Sequence, residues 1–390
     1  MTIQKLKELG KRPFLTSAMA MTLVLFGASN SANAAGYMFF DLGGDNSVAT
    51  AINNSGQIVG DSYVNYFTEH ATEWNGTTAT DLGTLGGNYT NSRAFSINDI
   101  GQVVGNSYNT NYPVAQHAAL WNGTTATDLG TLGGSNSVAF AINHEGQIAG
   151  NSDTTANNSQ AATLWNGSSV TNLGTLGGSG ASANSISDAG QVVGGSATTT
   201  HYYDNGILHI INHATLWNGT AATDLGTVGG NNSSAMAINN AGQVVGWSDI
   251  SGNATYHATL WNGTSATDLG TLGTNSVATA INNLGEVVGY SSTLNNSAVH
   301  AFLWNGTSMT DLNSLLDSAT ESAGWVLNSA NDINDYGWIV GSAYNSITGV
   351  SHAYLLSVTA VPEADTYALM VAGFGLVSLV ARRRQKQFVA

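Results

Sequence analysis

Six of the nine histidines recur at one position of a repeated unit, where a ring nitrogen could bind a metal or transfer a proton. They stand at the start of a predicted strand, at His70, His117, His213, His257, His300 and His352. Equivalent positions of successive repeats lie too far apart to bind one metal ion together. We therefore expect each histidine to hydrogen-bond a neighbouring turn.

Carboxylates offer the other candidate chemistry, because two of them flanking a glycosidic bond can hydrolyse it. No pair stands out, and the repeated aspartates begin Asp-Leu-Gly triplets, where a carboxylate is expected to accept backbone N–H bonds in a turn. Asp332, Asn334 and Asp335 before Gly337 resemble part of a calcium loop, but the bidentate glutamate of such a loop is missing. No serine lies in a recognisable nucleophile elbow. The sequence therefore predicts no catalytic, cofactor-binding or metal-binding residue.

Charge and composition exclude two further classes of chemistry. The chain has no cysteine, which removes disulfides, thiolate ligands and cysteine nucleophiles together. Between residues 13 and 381 a single base, Arg93, stands against 23 acidic residues, so this span has a formal charge of −22. A nucleic-acid partner requires clustered lysine and arginine to neutralise phosphates. Nucleic-acid binding is therefore excluded.

Three sequence markers recur at intervals of 40–52 residues. Trp-Asn-Gly begins at Trp74, Trp121, Trp165, Trp217, Trp261 and Trp304. The pattern Ile-Asn-x-x-Gly-Gln-Val-Val-Gly has its first glycine at positions 56, 101, 146, 190, 242, 285 and 337. Asp-Leu-Gly or a close variant begins at Asp41, Asp81, Asp128, Asn172, Asp224, Asp268 and Asp311. Two markers thus occur seven times and the third six times.

Each copy of the repeat predicts four short strands. In the third copy, Ser137–Ile142 alternates large and small residues, which suits sheets that stack large side chains against small ones. Gln147–Gly150 is the returning strand, the third strand ends at Trp165, and Asn166-Gly167 makes a tight turn into the fourth. Four-stranded units of this length are typical of propeller blades.

The two ends of the repeat region complement each other. Tyr37–Leu42 is a fourth strand without a third strand before it, and His352–Leu356 is a third strand without a fourth after it. Their pairing would complete a seventh blade and remove two exposed edges, whereas an open solenoid would leave both unpaired. We therefore predict an all-β domain over residues 37–357, a seven-bladed β-propeller of four-stranded antiparallel blades closed by its N-terminal and C-terminal strands.

Tyrosine is concentrated in the segments between the second and third strands of the copies. The strand order places these segments on the same side of the ring as the links between blades, and they hold nine of the thirteen tyrosines of residues 37–357. The nine are Tyr63, Tyr66, Tyr108, Tyr112, Tyr202, Tyr203, Tyr256, Tyr290 and Tyr344. Amphipathic rings are common at contacts with sugars and proteins, so they form a candidate binding face. The alternative is that they only cover the blade ends.

The third strands share a further motif. The sixth copy has His300-Ala301-Phe302, and five other copies have the dipeptide His-Ala at the same position. In this pattern the units resemble the HAF family of extracellular repeats over essentially all of residues 37–357. The third copy departs from it, with Ala161 in place of the histidine. The resemblance implies an extracellular location and a repeat architecture, and it implies no particular activity.

The first 34 residues show the three-part pattern of a secretory signal peptide. Residues 5–12 are basic, Ala18–Ala28 is apolar, and Ala32-Asn33-Ala34 supplies the small residues that signal peptidase requires. We expect a signal helix that is cleaved after Ala34. A buried N-terminal helix is the alternative.

Residues 361–387 combine a short motif, an apolar run and a basic tail. Sixteen uncharged residues, 366–381, are short for a permanent span, because about 20 are needed to cross ~30 Å of hydrocarbon. The arginine cluster that follows holds its end in the cytoplasm. We therefore predict a short transmembrane helix that anchors the protein transiently.

This C-terminal segment resembles the PEP-CTERM sorting signal of Gram-negative bacteria, which exosortases recognise and remove. Pro362 and Glu363 match the motif, Ala364 replaces its usual second proline, and the basic tail is Arg382, Arg383 and Arg384. The resemblance implies an exported exosortase substrate of the kind often associated with exopolysaccharide.

Three functions follow as hypotheses. The first is a non-enzymatic protein, exported across the inner membrane of a Gram-negative cell, that binds polysaccharide or a surface protein through the tyrosine-rich face. The second is a purely structural matrix component, and the third is a polysaccharide hydrolase or lyase. Signal peptidase and exosortase are the expected processing partners, and membrane contact is expected only through residues 366–381 before processing.

Overall fold

The computed structural model describes residues 36–44, 46–65, 68–86, 91–109, 115–155, 160–204 and 207–358, without the side chains of Asn109, Tyr203 and Asp204. The predicted signal peptide with Ala34 lies outside these residues, as does the sorting segment 361–387 with its motif, helix and arginines. Within the described ranges, no helix combines the length and apolar character needed to span a membrane.

The described strands form seven separate sheets of four antiparallel strands each. The first strand of the chain, β1 (Tyr37–Asp41), belongs to blade 7. Blade 1 is β2 (Val48–Ile52), β3 (Ile58–Asn65), β4 (Thr68–Asn75) and β5 (Thr78–Asp81); blade 2 is β6 (Ser92–Ile97), β7 (Gln102–Asn109), β8 (Ala115–Asn122) and β9 (Thr125–Asp128); blade 3 is β10 (Gly133–Ile142), β11 (Ile148–Thr154), β12 (Gln160–Asn166) and β13 (Ser169–Asn172).

The remaining blades repeat this order. Blade 4 is β14 (Gly177–Ile186), β15 (Gln191–Asp204), β16 (Ile207–Asn218) and β17 (Ala221–Gly226); blade 5 is β18 (Ser233–Ile238), β19 (Gln243–Asp249), β20 (Tyr256–Asn262) and β21 (Ser265–Asp268); blade 6 is β22 (Ser276–Ile281), β23 (Val287–Ser292), β24 (Val299–Trp304) and β25 (Met309–Asp311); blade 7 is β26 (Trp325–Ile333), β27 (Ile339–Asn345), β28 (Ser351–Val358) and β1. Helical turns lie at Leu294–Asn296, Leu312–Leu315 and α1 (Ser318–Ser322).

The seven blades form a closed ring. The first strand of every blade contacts the first strands of both neighbouring blades, and β26 of blade 7 contacts β2 of blade 1. The first strands therefore surround a central axis. This arrangement confirms the predicted all-β, seven-bladed propeller of four-stranded antiparallel blades.

Blade 7 is completed by the two ends of the repeat region, as predicted. β1 pairs antiparallel with β28, from Tyr37 opposite Val358 to Asp41 opposite Tyr354. The Leu42 amide continues the pairing by donating to the Ala353 carbonyl at 3.0 Å. β28 therefore has a partner strand on both edges, β27 on one side and β1 on the other.

The tryptophans of Trp-Asn-Gly pack one blade against the next. Five of them, Trp74, Trp121, Trp165, Trp217 and Trp261, are at most 1% exposed. Each lies in a cluster with residues of the preceding blade; Trp121, for example, packs with Val59 and Ala71 of blade 1. Burial of these large rings provides much of the apolar area between blades.

The first strands do not place all their large residues in the sheet interfaces. A register shift between Ala139 and Ala141 breaks the alternation, so Ile142 joins Ala139 in the interface with blade 2. Val138 and Phe140 are only half-buried. The expectation of large side chains stacked against small ones is therefore wrong for these two residues, because the bulge changes which side of the strand faces the neighbouring blade.

Polar side chains also join the blades at repeated positions. Ser92 Oγ accepts from the Ala71 amide of blade 1 at 3.0 Å and donates to the Gly83 carbonyl at 2.8 Å. Ser47, Ser137, Ser233 and Ser276 make the same pair of bonds. These buried hydroxyls satisfy backbone groups that water cannot reach.

The ring has two distinct sides. The connector side carries the connections between the second and third strands of each blade and the links between blades. The turn side carries the turn that follows each first strand. Antiparallel order fixes this assignment for every blade.

Candidate functional site

Seven of the nine candidate tyrosines lie on strands at the connector side. They are Tyr63, Tyr108, Tyr202, Tyr203, Tyr256, Tyr290 and Tyr344, while Tyr66 and Tyr112 lie outside the described residues. The segments between the second and third strands are largely continuations of those strands, as β3 to Asn65 and β15 to Asp204 illustrate. Threonine and tyrosine there favour extended backbone, so pairing continues further than the sequence indicated.

Four of these tyrosine side chains are exposed to solvent. Tyr63, Tyr202, Tyr256 and Tyr344 are 37–41% exposed, whereas Tyr108 and Tyr290 are half-buried. The exposed rings belong to blades 1, 4, 5 and 7 and are distributed around the ring. The predicted face is therefore a set of separate aromatic sites.

One of these sites lies at blades 5 and 6, and we call its residues, Trp247, Tyr256 and Tyr290, the aromatic patch. The rings of Trp247 and Tyr256 meet edge to face with centroids 5.7 Å apart. Burial raises the pKa of Tyr290, and its neighbour Tyr256 acts in the same direction. Trp247 and Tyr290 occupy equivalent positions after the strand glycines Gly246 and Gly289. Trp247 was not among the residues predicted for this face, although its equivalence to Tyr290 is visible in the repeat.

A second aromatic site lies on the long hairpin of blade 4. β15 and β16 contain 14 and 12 residues and pair as far as Asp204 opposite Ile207. Tyr202 stacks on His209 with ring centroids 4.8 Å apart and an interplanar angle of 9°. The stacked pair stands near the end of the hairpin, beyond the length of the other blades' strands.

A charged cluster lies at the junction of blades 1 and 2. Arg93 donates from Nε and Nη2 to one oxygen of Glu69, at 2.7 and 2.6 Å. Burial raises the pKa of Asp61 to about 8, and a hydrogen bond to Glu69 and the charge of Glu69 act in the same direction. The Asp61 carboxyl therefore keeps its proton to a higher pH than a free aspartate does, beside the Arg93–Glu69 ion pair. The sequence singled out Arg93 only as an isolated base.

All six repeated histidines bond to the aspartate of Asp-Leu-Gly in the same blade. Nδ1 of each lies 2.6–2.9 Å from a carboxylate oxygen; the pairs are His70–Asp81, His117–Asp128, His213–Asp224, His257–Asp268, His300–Asp311 and His352–Asp41. Asp81, for example, also accepts from the Gly83 amide at 2.7 Å. Each histidine therefore hydrogen-bonds to a neighbouring turn, as predicted. In the described part of the chain no group of three histidine and acidic side chains is arranged to hold a metal ion.

The residues that resemble a calcium loop serve the closure of the ring. The Asp332 carboxylate accepts from the Ile52 and Ile333 amides, both at 2.9 Å. Asn334 donates to the Asn53 carbonyl of blade 1, and Asp335 accepts from the Asn283 amide of blade 6. Asp332 and Asp335 thus bond to neighbouring blades through a carboxylate oxygen, and Asn334 does so through its side-chain N–H. Burial raises the pKa of Asp332 to about 7.

Comparison with known proteins supplies no relative for the chain. Neither the family models nor the curated proteins compared with it gave a match.

Proposed function

We propose that this protein is an exported, non-enzymatic component of the cell surface or extracellular matrix that binds polysaccharide through the tyrosines of its connector side. The observation that carries this proposal is the aromatic patch, in which the exposed ring of Tyr256 meets the half-buried Trp247 of its own blade and lies near the half-buried Tyr290 of the next. Such rings offer apolar surface together with a hydroxyl or N–H group, the combination that sugar rings require.

The distribution of the exposed tyrosines favours a polysaccharide over a protein partner. Protein interfaces concentrate their strongest contacts in one desolvated centre. Here the exposed rings of Tyr63, Tyr202, Tyr256 and Tyr344 belong to four different blades. A long polymer can contact separated sites in turn, and weak contacts then add through multivalency.

Co-sedimentation of the purified protein with exopolysaccharide from the producing cells tests this proposal. Tyr256→Ala is expected to weaken binding roughly tenfold, since it removes an aromatic contact. Tyr336→Ala is the matched control, because Tyr336 is 66% exposed but follows a first strand on the turn side. Equal binding by both variants and the wild type would contradict a role for the aromatic patch.

The same preparation separates the two alternative functions. A purely structural component would show no saturable binding, yet deletion of its gene would reduce matrix cohesion. A hydrolase or lyase would generate new chain ends in the polysaccharide during incubation. Asp61 and Glu69 bond directly to each other, so they are poorly placed to stand on either side of a glycosidic bond.

Export and processing belong to the proposal as well. We propose cleavage by signal peptidase after Ala34 and removal of the C-terminal helix by an exosortase at Pro362-Glu363, as the resemblance to sorting signals implies. The mass of the protein recovered from the cell surface tests both cleavages. A mature protein that retained residues 366–390 would contradict exosortase processing.

A further inference from the structure

A cavity of about 300 Å³ lies where blades 1, 2 and 3 meet. Its lining includes Glu69, Arg93, Phe95, Asn106, Gln116 and Phe140. Tyr108 of the tyrosine-rich face also lines it, at the end of β7 on the connector side. The volume is at the lower end of the range of small-ligand sites, about 300–1,000 Å³, so it suits one small molecule.

The side chain of Asn106 is the unusual feature of this cavity. It is 2% exposed, and among the described residues its Oδ1 has no hydrogen-bond partner. A buried amide oxygen without a donor is costly, so native proteins rarely keep one unless water or a ligand occupies the site. A ligand that donates an O–H or N–H group would satisfy it.

The next blade shows what the unpaired amide lacks. Asn151 occupies the equivalent position in blade 3, donates from Nδ2 to Ser182 Oγ and accepts from the Ala183 amide, both at 3.0 Å. Val138 stands at the position of Ser182 and has no hydroxyl to accept from Asn106 Nδ2. Asn106 Oδ1 also makes no bond to the Ala139 amide, which corresponds to Ala183. The cavity therefore lies where Asn106 lacks the interblade hydrogen bond that Asn151 Oδ1 makes.

The charges around the cavity compensate one another. Arg93 and Glu69 form an ion pair, and Asp61 beside them is largely protonated at neutral pH because its pKa is raised to about 8. The cluster carries no net charge at pH 7, although the protein is strongly acidic. An uncharged ligand with several hydroxyls matches this lining better than an anion or a cation.

Two phenylalanines supply an apolar surface in the same cavity. The rings of Phe95 and Phe140 lie with centroids 5.4 Å apart and an angle of 46° between their planes. A pyranose ring has an apolar C–H face and hydroxyl donors around its rim. It would pack against these rings while its hydroxyls meet Asn106, Gln116 and the Arg93–Glu69 pair.

We infer that the cavity between the first three blades is a binding subsite for a single uncharged sugar ring, with one sugar hydroxyl donating to Asn106 Oδ1. This inference rests on the polysaccharide-binding role proposed above and specifies its ligand class. Tyr108, at the connector-side end of the cavity, links the subsite to the tyrosine-rich face.

Titration of the purified protein with methyl glycosides of glucose, galactose and mannose, followed by ligand-observed NMR, tests the subsite. At least one glycoside is expected to bind, and Asn106→Leu is expected to weaken that binding at least tenfold without lowering the thermal midpoint. Val138→Ser, which introduces the serine found at this position in blade 4, should also weaken binding, because its hydroxyl can accept from Asn106 Nδ2 and hold the amide so that Oδ1 accepts from the Ala139 backbone, as Asn151 does from Ala183. Asn151→Leu is the matched control and should lose stability but keep sugar affinity.

Three results would overturn the subsite. They are no binding of any glycoside, equal affinity of wild type and Asn106→Leu, or tighter binding of glucosamine or glucuronate than of the neutral sugars at pH 7. None of them affects polysaccharide binding through Tyr256. Conversely, unchanged polysaccharide binding by Tyr256→Ala would overturn the role of the aromatic patch. Loss of glycoside binding in Asn106→Leu would still support the subsite.

Discussion

Two buried aspartates, Asp61 and Asp332, retain their protons at unusually high pH. The cause is chiefly burial, which raises the pKa of Asp61 to about 8 and that of Asp332 to about 7. An unfolded aspartate titrates near pH 4. The folded protein therefore binds more protons than the unfolded chain between about pH 4 and 8, and its stability falls as the pH rises through this interval.

Asp332→Asn is expected to flatten this pH dependence. In the wild type, Asp332 lowers the free energy of unfolding by about 1.4 kcal/mol for each pH unit between pH 4 and 7. Asparagine cannot ionise, so the variant should not show this loss. Urea unfolding at several pH values measures it. Asp317→Asn is the control. Hydrogen bonds from Thr320 and Ala319 lower the pKa of Asp317, so its contribution to stability changes only below pH 4 and not between pH 4 and 7. Parallel profiles for wild type and Asp332→Asn would contradict the assignment.

The buried serines between blades give a second prediction for single residues. Ser233→Ala removes the partner of both the Ala214 amide and the Gly226 carbonyl, so unfolding should become easier by about 1–3 kcal/mol. Ser265→Ala, at an exposed position of β21, should change stability by less than about 0.5 kcal/mol. Thermal or urea denaturation of both variants measures the difference, and similar losses would argue against the interblade bonds.

The turns that follow the first strands are the elements that tie the ring together on its turn side. In six blades an asparagine side chain donates to a backbone carbonyl of the next blade at 3.0–3.1 Å. The donors are Asn53, Asn98, Asn143, Asn239, Asn282 and Asn334. Blade 4 has Ser187 at this position, and its shorter side chain bonds only within its own turn, to the Gln191 amide.

Ser187→Asn is therefore expected to stabilise the protein. The longer side chain would donate to the carbonyl of Asn239 and complete the chain of bonds around the ring, adding about 1 kcal/mol to the free energy of unfolding. Asn143→Ser is the reverse change in the preceding blade and should destabilise it. A lower thermal midpoint for Ser187→Asn would show that blade 4 cannot adopt the geometry of its neighbours.

Two sets of contacts close the ring between the ends of the domain. β1 pairs with β28 inside blade 7, and residues 331–335 of blade 7 bond to residues 49–54 of blade 1. Separation of β1 would remove the first set and expose an unpaired strand edge on β28.

A disulfide between β1 and β28 tests closure in solution. Met38 lies opposite Ser357, so Met38→Cys with Ser357→Cys is expected to form an intramolecular bridge, and no other cysteine competes with it. Oxidation should raise the thermal midpoint, because the bridge closes a very long loop in the unfolded chain. The reduced double variant is the control. Only intermolecular bridges would indicate that the two strands do not pair within one chain.

The periodic markers made the fold predictable from sequence. Each blade is specified by local signals, such as the Asn166-Gly167 turn and the buried Trp165, and the orphan strands at residues 37–42 and 352–356 indicated closure. The extent of strands was less predictable, since β15 and β16 continue through a segment that the sequence indicated only as the connection between the second and third strands. Pairing with a neighbour, which sequence patterns do not reveal, decided those limits.

The sequence by itself determined the repeat, the number of blades, the pairing of the ends and the tyrosine bias of one side, because these depend on spacing along the chain. Only the tertiary structure decided which rings meet, that burial beside Glu69 raises the pKa of Asp61, and that Asn106 Oδ1 lacks a partner among the described residues. Those properties arise between blades, from residues tens of positions apart. Residues of three blades, from Glu69 to Phe140, line the cavity between them, so no local pattern could signal it.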